Sequence, residues 1–275
     1  MKSTNCHVLI AGILSLLTLN IGTAHIIFDL GGVLLNTNKS AVTHKAGLLK
    51  LAFFALSTMS NPRTTFFTIL GEINPYSETE IIPCDETGQQ LPGIMCDWLK
   101  GIPSKKILAK IEKKLTTAHP LWDLANAIFE PKSMAETQEL IKEGTMFVQE
   151  CIAQGHCVYI LSNWDAESFT HIYMKYPEFF SLFSGIVISG DCGLLKPDPK
   201  IYQHLLLEYG LDASECFFID NQPENIYGAL QTGIAGSVLN LKKGKPDFDS
   251  VRCDLDTWIN TTQQYLKQYK VNALF

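Results

Sequence analysis

The sequence predicts an α/β fold, a Rossmann-like parallel sheet core with an inserted helical region. Short apolar runs at 25–28, 156–161, 185–189, 216–219 and 234–239 read as strands. Helical stretches at 167–175, 199–209 and 223–231 separate the last four, a spacing that argues for strand–helix–strand units in a covered parallel sheet. Asp29, Ser162 and Asp220 stand at or just beyond the ends of apolar runs, and an open parallel sheet builds its sites along that edge.

Taken in order, the first 24 residues differ from the rest. Lys2 precedes an apolar stretch from Val8 to Leu19, and Gly22-Thr23-Ala24 follows. Small residues there suit cleavage before His25, as in a secretory signal peptide, and the apolar stretch is too short to cross a bilayer comfortably. Export to a periplasm or medium is therefore expected, with a buried N-terminal helix in a cytoplasmic protein as the alternative. The strand at 25–28 comes next. For more than a hundred residues after it, strand alternation is absent.

Residues 41–59, rich in Leu and Ala, read as a long buried helix, and 64–70 as a shorter one after Pro62. Asn74-Pro75, Pro83, Gly88 and Pro92 break regular structure between 71 and 92. Helical periodicity returns at 94–99 and is clearest at 104–115, where Ile107, Leu108, Ile111 and Leu115 share a face opposite the lysines. Stretches 121–129 and 133–154 complete a mainly helical region, and the tail at 255–269 reads as a helix on the core. The expected organisation is a signal peptide at 1–24, a core from 25–37 and 145–275, and a helical insert at 38–144.

The composition is 46% hydrophobic and 18% charged with a formal net charge of -6, which gives no support to nucleic-acid binding. Lys105, Lys106, Lys110, Lys113 and Lys114 read as a solvated helix face rather than a phosphate-steering patch. Eight cysteines include no CxxC pair. Cys84 and Cys96 bracket a turn-rich loop and are the first pair to test for a disulfide.

Four segments carry the chemistry: Phe28-Asp29-Leu30-Gly31-Gly32, Leu161-Ser162-Asn163, Gly193-Leu194-Leu195-Lys196-Pro197-Asp198-Pro199 and Ile219-Asp220-Asn221. In this order they resemble the four motifs of the haloacid dehalogenase-like (HAD) superfamily, whose commonest members are magnesium-dependent phosphatases. The match is to the branch opening on Asp-Leu-Gly-Gly, and the insert is compatible with a subclass I cap. The resemblance implies that Asp29 attacks phosphorus and forms an aspartyl-phosphate. It places Mg2+ on the side chain of Asp29, the backbone carbonyl of Gly31 and Asp220, with Asn221 as a further carbonyl ligand. Ser162 and Asn163 would donate to the phosphate, while Lys196 neutralises the transferring group and steadies the nucleophile. The implied partner is a small phosphorylated metabolite; no protein partner can be read.

Two positions depart from the pattern. Gly31 stands where most such phosphatases carry a second aspartate as general acid–base, a contribution worth ~10²–10⁴ in rate. Asn221 replaces the second of two adjacent acids. A haloacid-type dehalogenase is one alternative, because a departing halide needs no proton; Asp220 argues against it. A catalytically degenerate secreted interaction protein on the same fold is the other. His44, Trp98, His119 and Trp122 fall in the insert and are candidates for substrate contact, with packing the default for the tryptophans.

Overall fold

The structure is a computed structural model describing residues 23–59, 61–74, 82–85 and 88–272, with side chains described to residue 262. In chain order its strands are β1 (His25–Phe28), β2 (Leu35–Thr37), β3 (Gln138–Leu140), β4 (Cys157–Ser162), β5 (Gly185–Ile188), β6 (Cys216–Asp220) and β7 (Ala235–Val238), followed by a short two-stranded ribbon of β8 (Leu241–Lys242) and β9 (Lys245–Pro246). Five of them form one parallel sheet in the order β5-β4-β1-β6-β7. The chain winds outward from β1 in both directions, so β1 is the point where strand order reverses, and crevices for ligands open there at the carboxyl ends. Asp29 follows β1 directly, Ser162 ends β4 and Asp220 ends β6.

Alternation along the strands explains why both faces are covered. Ile26, Phe28, Val158, Ile160, Phe217 and Ile219 point into one buried cluster with Phe147, Val148 and Phe248. Ile27, Tyr159, Leu161 and Phe218 point into the opposite cluster with Ile201, Tyr202 and Leu205. Each aliphatic or aromatic side chain so buried contributes about 1.5–3 kcal/mol, which is why a parallel sheet needs helices on both sides.

The helices are α1 (Lys39–Lys45), α2 (Leu48–Thr58), α3 (Pro62–Ile73), α4 (Gly93–Leu99), α5 (Ser104–Glu112), α6 (Trp122–Phe129) and α7 (Pro131–Glu136) in the insert. The core helices follow as α8 (Lys142–Ala153), α9 (Ala166–Lys175), α10 (Pro177–Phe180), α11 (Ser189–Cys192), α12 (Pro199–Tyr209), α13 (Pro223–Leu230) and α14 (Phe248–Asn272). The antiparallel β2–β3 ribbon, with Leu35 opposite Leu140, gathers the two ends of the insert. The insert has its own apolar centre around Phe66, Ile94, Trp98, Ile107, Ile111 and Phe129.

Three expectations are corrected. The long buried helix at 41–59 is two helices, broken at Gly47, whose φ of +77° only glycine adopts readily. Of α2 only Phe54 is buried, and Leu49 and Phe53 are 85% and 70% exposed. The continuous helix at 133–154 is instead α7, β3 and α8, because the chain must turn back to pair with β2. Cys84 and Cys96 form no disulfide with one another. The basic run is a solvated face as expected, with Lys110 on Asp97 at 3.0 Å and Lys114 on Glu72 at 3.6 Å.

Most of the expected signal peptide lies outside the described residues. Ala24, its last residue, is buried, and its carbonyl accepts a hydrogen bond from the Cys157 amide at 3.0 Å, extending the β1–β4 ladder. No helix among the described residues is long and apolar enough to cross a membrane.

Candidate active site

Three strand ends and one loop converge on a single ammonium. Lys196 Nζ donates to Asp29 Oδ1 at 2.7 Å and to Asp220 Oδ2 at 2.6 Å, so one cation joins two carboxyl groups from opposite ends of the core sequence. Ser162 Oγ donates to the same Asp29 Oδ1 at 2.8 Å. All four residues are buried. Sheet ladders hold the carboxyls in place: the Asp29 amide donates to the Ile219 carbonyl at 2.9 Å, and the Asp220 carbonyl accepts from the Leu239 amide at 2.9 Å. The loop after β1 closes on the Leu30 carbonyl, which accepts from the Leu34 and Leu35 amides at 2.9 and 2.7 Å.

Lys196 is positioned from two sides. Asn163 brackets its backbone, accepting from the Lys196 amide at 2.8 Å and donating to the Lys196 carbonyl at 2.9 Å. Its ammonium lies 5.1 Å from the centre of the Phe218 ring, a cation–π contact from the sheet below. Asp198 caps α12, accepting from the Lys200 amide at 3.0 Å, and so fixes the loop's exit.

Asp220 is locked by the Gln222 amide at 2.8 Å and by Asn225 Nδ2 at 3.0 Å. Asn225 is held in turn by Tyr202, whose hydroxyl donates to the Asn225 carbonyl at 2.6 Å.

Burial pushes the Asp29 carboxyl up to about 6; Lys196 opposes this and Asp220 adds to it. Burial would lower the Lys196 pKa, yet Asp220 and Asp29 together outweigh it, so the lysine stays a cation. The trio has two carboxyl groups for one ammonium, and both hydrogen bonds to Asp29 land on Oδ1. That donor set suits a hard cation. No group of three His, Cys, Asp or Glu side chains converges on a point among the described residues. Magnesium does not require one, since it is commonly held by one or two carboxylates together with water and substrate phosphate.

A cavity of about 640 Å³ opens over this floor, lined below by Asp29, Gly31, Ser162, Asn163, Trp164, Lys196, Gln222 and Asn225 and above by the insert. The structure thus brings together Asp29, Ser162, Asn163, Lys196 and Asp220. Two expectations are revised. Asn163 borders the cavity and clamps the Lys196 backbone through both ends of its side chain, which leaves one Nδ2 hydrogen without a partner among the described residues. Neither Asn221 nor the buried Asp220 lines this cavity; the Asn221 side chain packs against Gly32, where an added Cβ would come within 2.4 Å of Nδ2. Nor do His44, Trp98, His119 or Trp122 reach it. Trp98 is buried with Nε1 donating to Ser104 Oγ at 3.0 Å, and His119 lies against Phe54.

Trp164 was not singled out from the sequence. Its ring fills the space beside Gly31, 3.7 Å from where a Cβ would stand. A large apolar residue directly after the second motif was the only hint.

Comparison with known proteins follows this geometry. A fungal relative, the sesquiterpene phosphatase of Aspergillus oryzae, is 34% identical over 92 residues, which is 34% of this chain and 46% of that protein. The chain therefore spans under half of that relative. Among solved structures, a HAD family enzyme from Bacteroides thetaiotaomicron, in complex with magnesium and inorganic phosphate, superposes with a TM-score of 0.54 at 18% identity, over 80% of this chain and 95% of that one. A dehalogenase captured with an intermediate gives 0.51 at 18% identity, over 83% and 90%. At such identity these two report the fold alone. The family model for haloacid dehalogenase-like hydrolases matches residues 23–233, from the entry to β1 to the turn before β7, and by that match the chain belongs to the haloacid dehalogenase-like hydrolase family.

Proposed function

We propose that the protein is a magnesium-dependent phosphatase that hydrolyses a small phosphomonoester through an aspartyl-phosphate at Asp29. The observation that carries this is the Lys196 ammonium, at the floor of the cavity beneath the insert, bridging Asp29 and the buried Asp220. Magnesium, held by Asp29, Asp220 and the Gly31 carbonyl, would supply positive charge to mask the phosphate dianion.

The chain's own residues supply the rest. Lys196 draws the phosphoryl oxygens in and lowers repulsion between them and Asp29. The Ser162 hydroxyl, bonded to Asp29 in the free site, turns to a phosphoryl oxygen when substrate arrives. An Asp29 oxygen forms the new bond to phosphorus as the ester P–O bond breaks, its electron pair leaving on the alcohol oxygen. Gly31 offers no acid, so the proton for that oxygen comes from the phosphate monoanion or from water. Water then bonds phosphorus and passes a proton to a phosphoryl oxygen, the Asp29–phosphorus bond breaks with its electron pair on Asp29, and the carboxylate returns with release of inorganic phosphate. The insert keeps bulk water from the site during this sequence.

The fungal phosphatase relative and the magnesium–phosphate complex of the Bacteroides enzyme support this reading. Gly31 favours a second one, carbon–halogen hydrolysis, whereas the buried acid Asp220 speaks for the phosphatase. The test is phosphate release from 4-nitrophenyl phosphate with magnesium, in the native protein and in Asp29→Asn. Turnover that falls at least a thousandfold in the variant supports catalysis at this site. Chloride release from a 2-haloacid with no phosphate release in any assay would overturn it. We further infer that the chain is exported, from residues 1–24 alone.

A further inference from the structure

We infer that the substrate of this site is the phosphate monoester of an apolar alcohol, an aliphatic or aromatic chain rather than a sugar or nucleoside. The inference rests on the phosphatase reading above and concerns what the cavity accepts beyond the phosphate. Polarity in the cavity is divided between two ends. The floor is polar and charged, while the insert contributes Val42, Phe67, Met95, Leu99, Ile128 and Met134. Leu99 is buried, but Val42, Phe67, Met95, Ile128 and Met134 are each only half-buried, so apolar surface is left facing the space.

Among the described residues, four polar side chains that the insert and its connecting ribbon turn toward the cavity, Thr37, Thr43, Arg63 and Asp85, already have partners within the protein. Thr43 Oγ1 donates to the Lys39 carbonyl in its own helix at 2.8 Å, and Thr37 Oγ1 donates to Gln138 Oε1 at 3.2 Å. Arg63 is paired with Asp85. Lys39 lines the cavity but is exposed, so its ammonium is already solvated. A sugar or nucleoside would bring several hydroxyls or ring nitrogens into this region, and each buried without a partner is penalised. A hydrocarbon chain meets no such penalty and covers the exposed faces of Phe67, Met95 and Ile128. About 640 Å³ lies within the range of sites that enclose drug-sized ligands, large enough for such a chain along with its phosphate.

The experiment measures kcat/KM with magnesium for n-alkyl phosphates from ethyl to dodecyl, each below its micelle concentration, beside glucose 6-phosphate, AMP and 4-nitrophenyl phosphate. Burying each methylene should raise kcat/KM by about two- to fourfold until the cavity is filled, placing octyl phosphate at least fiftyfold above ethyl phosphate and above both polar substrates. Met95→Glu should lower the octyl value at least tenfold more than the ethyl value, while Met95→Leu keeps the slope and so separates tail recognition from misfolding. A flat or falling alkyl series, or a preference for glucose 6-phosphate or AMP, overturns the inference and leaves the phosphatase standing. Failure to turn over any ester, 4-nitrophenyl phosphate included, overturns the phosphatase reading and this inference with it.

Discussion

Two adjacent glycines separate what this site has lost from what it must keep. Gly32 has a φ of +75° and no room for a side chain against Asn221, so its identity is set by the turn. Gly31 is different. A Cβ there meets only Trp164 at 3.7 Å and Asp29 Oδ2 at 4.0 Å, both ordinary contacts. The missing general acid is therefore not a steric necessity. Gly31→Asp should raise kcat about a hundredfold for alkyl phosphates, the lower end of what general acid–base catalysis supplies. It should change kcat little for 4-nitrophenyl phosphate, whose leaving group needs no proton. Steady-state rates for both substrates decide it; equal effects on the two would count against a role in leaving-group protonation.

At the scale of elements, strands and charged motifs were the legible part. Runs such as Cys216–Asp220 are short, apolar and followed by a polar turn, so their period and their ends can both be read locally. Asn163 was named as a phosphate donor because it follows Ser162, yet its partner, Lys196, lies 33 residues away. Only the crossover from β4 to the Lys196 loop shows that the amide clamps the Lys196 backbone. The pairing of α8 with α14 was equally hidden in the sequence.

Arg252 grips Glu150 with Nε to Oε1 at 2.8 Å and Nη2 to Oε2 at 2.6 Å. The hydrogen bond from Arg252 holds the Glu150 carboxyl below its ordinary 4.5. A depressed folded-state pKa means stability that is present above the unfolded value and lost as pH falls through the folded one. Glu150→Gln should therefore cost about 0.5–1 kcal/mol at neutral pH, since the pair is partly exposed. The gap should close as pH drops below the unfolded value of 4.5. Urea midpoints of both proteins across that interval test it.

For the whole molecule, the question is how the insert is tied to the chemistry. Leu195, directly before Lys196, is buried in the insert's apolar cluster. Ser189 Oγ donates to the Leu99 carbonyl at 2.7 Å, and the Ser104 amide donates to Glu167 at 2.7 Å. These contacts link the roof of the cavity to the Lys196 loop and to the core helices beside it, so filling the site is expected to stabilise both parts together. Magnesium with inorganic phosphate should raise the unfolding temperature of the native protein. At a hundredfold excess over Kd the gain is about 2.7 kcal/mol. In Asp220→Asn the increment should be lost, and a shift of equal size there would show that the cation binds elsewhere.

The family motifs, the parallel core and the identity of the residues that meet at its edge were determined by sequence alone, because strand period and strand ends are local properties of the chain. Tertiary structure decided that one lysine spans two carboxyls, that Asn163 clamps the Lys196 backbone, that Asn221 packs against Gly32, and that α2 leaves its apolar side exposed. It also decided which apolar side chains of the insert face the cavity above Lys196. Each of these depends on which distant groups satisfy or leave open a given side chain, and that is settled only when the chain closes on itself.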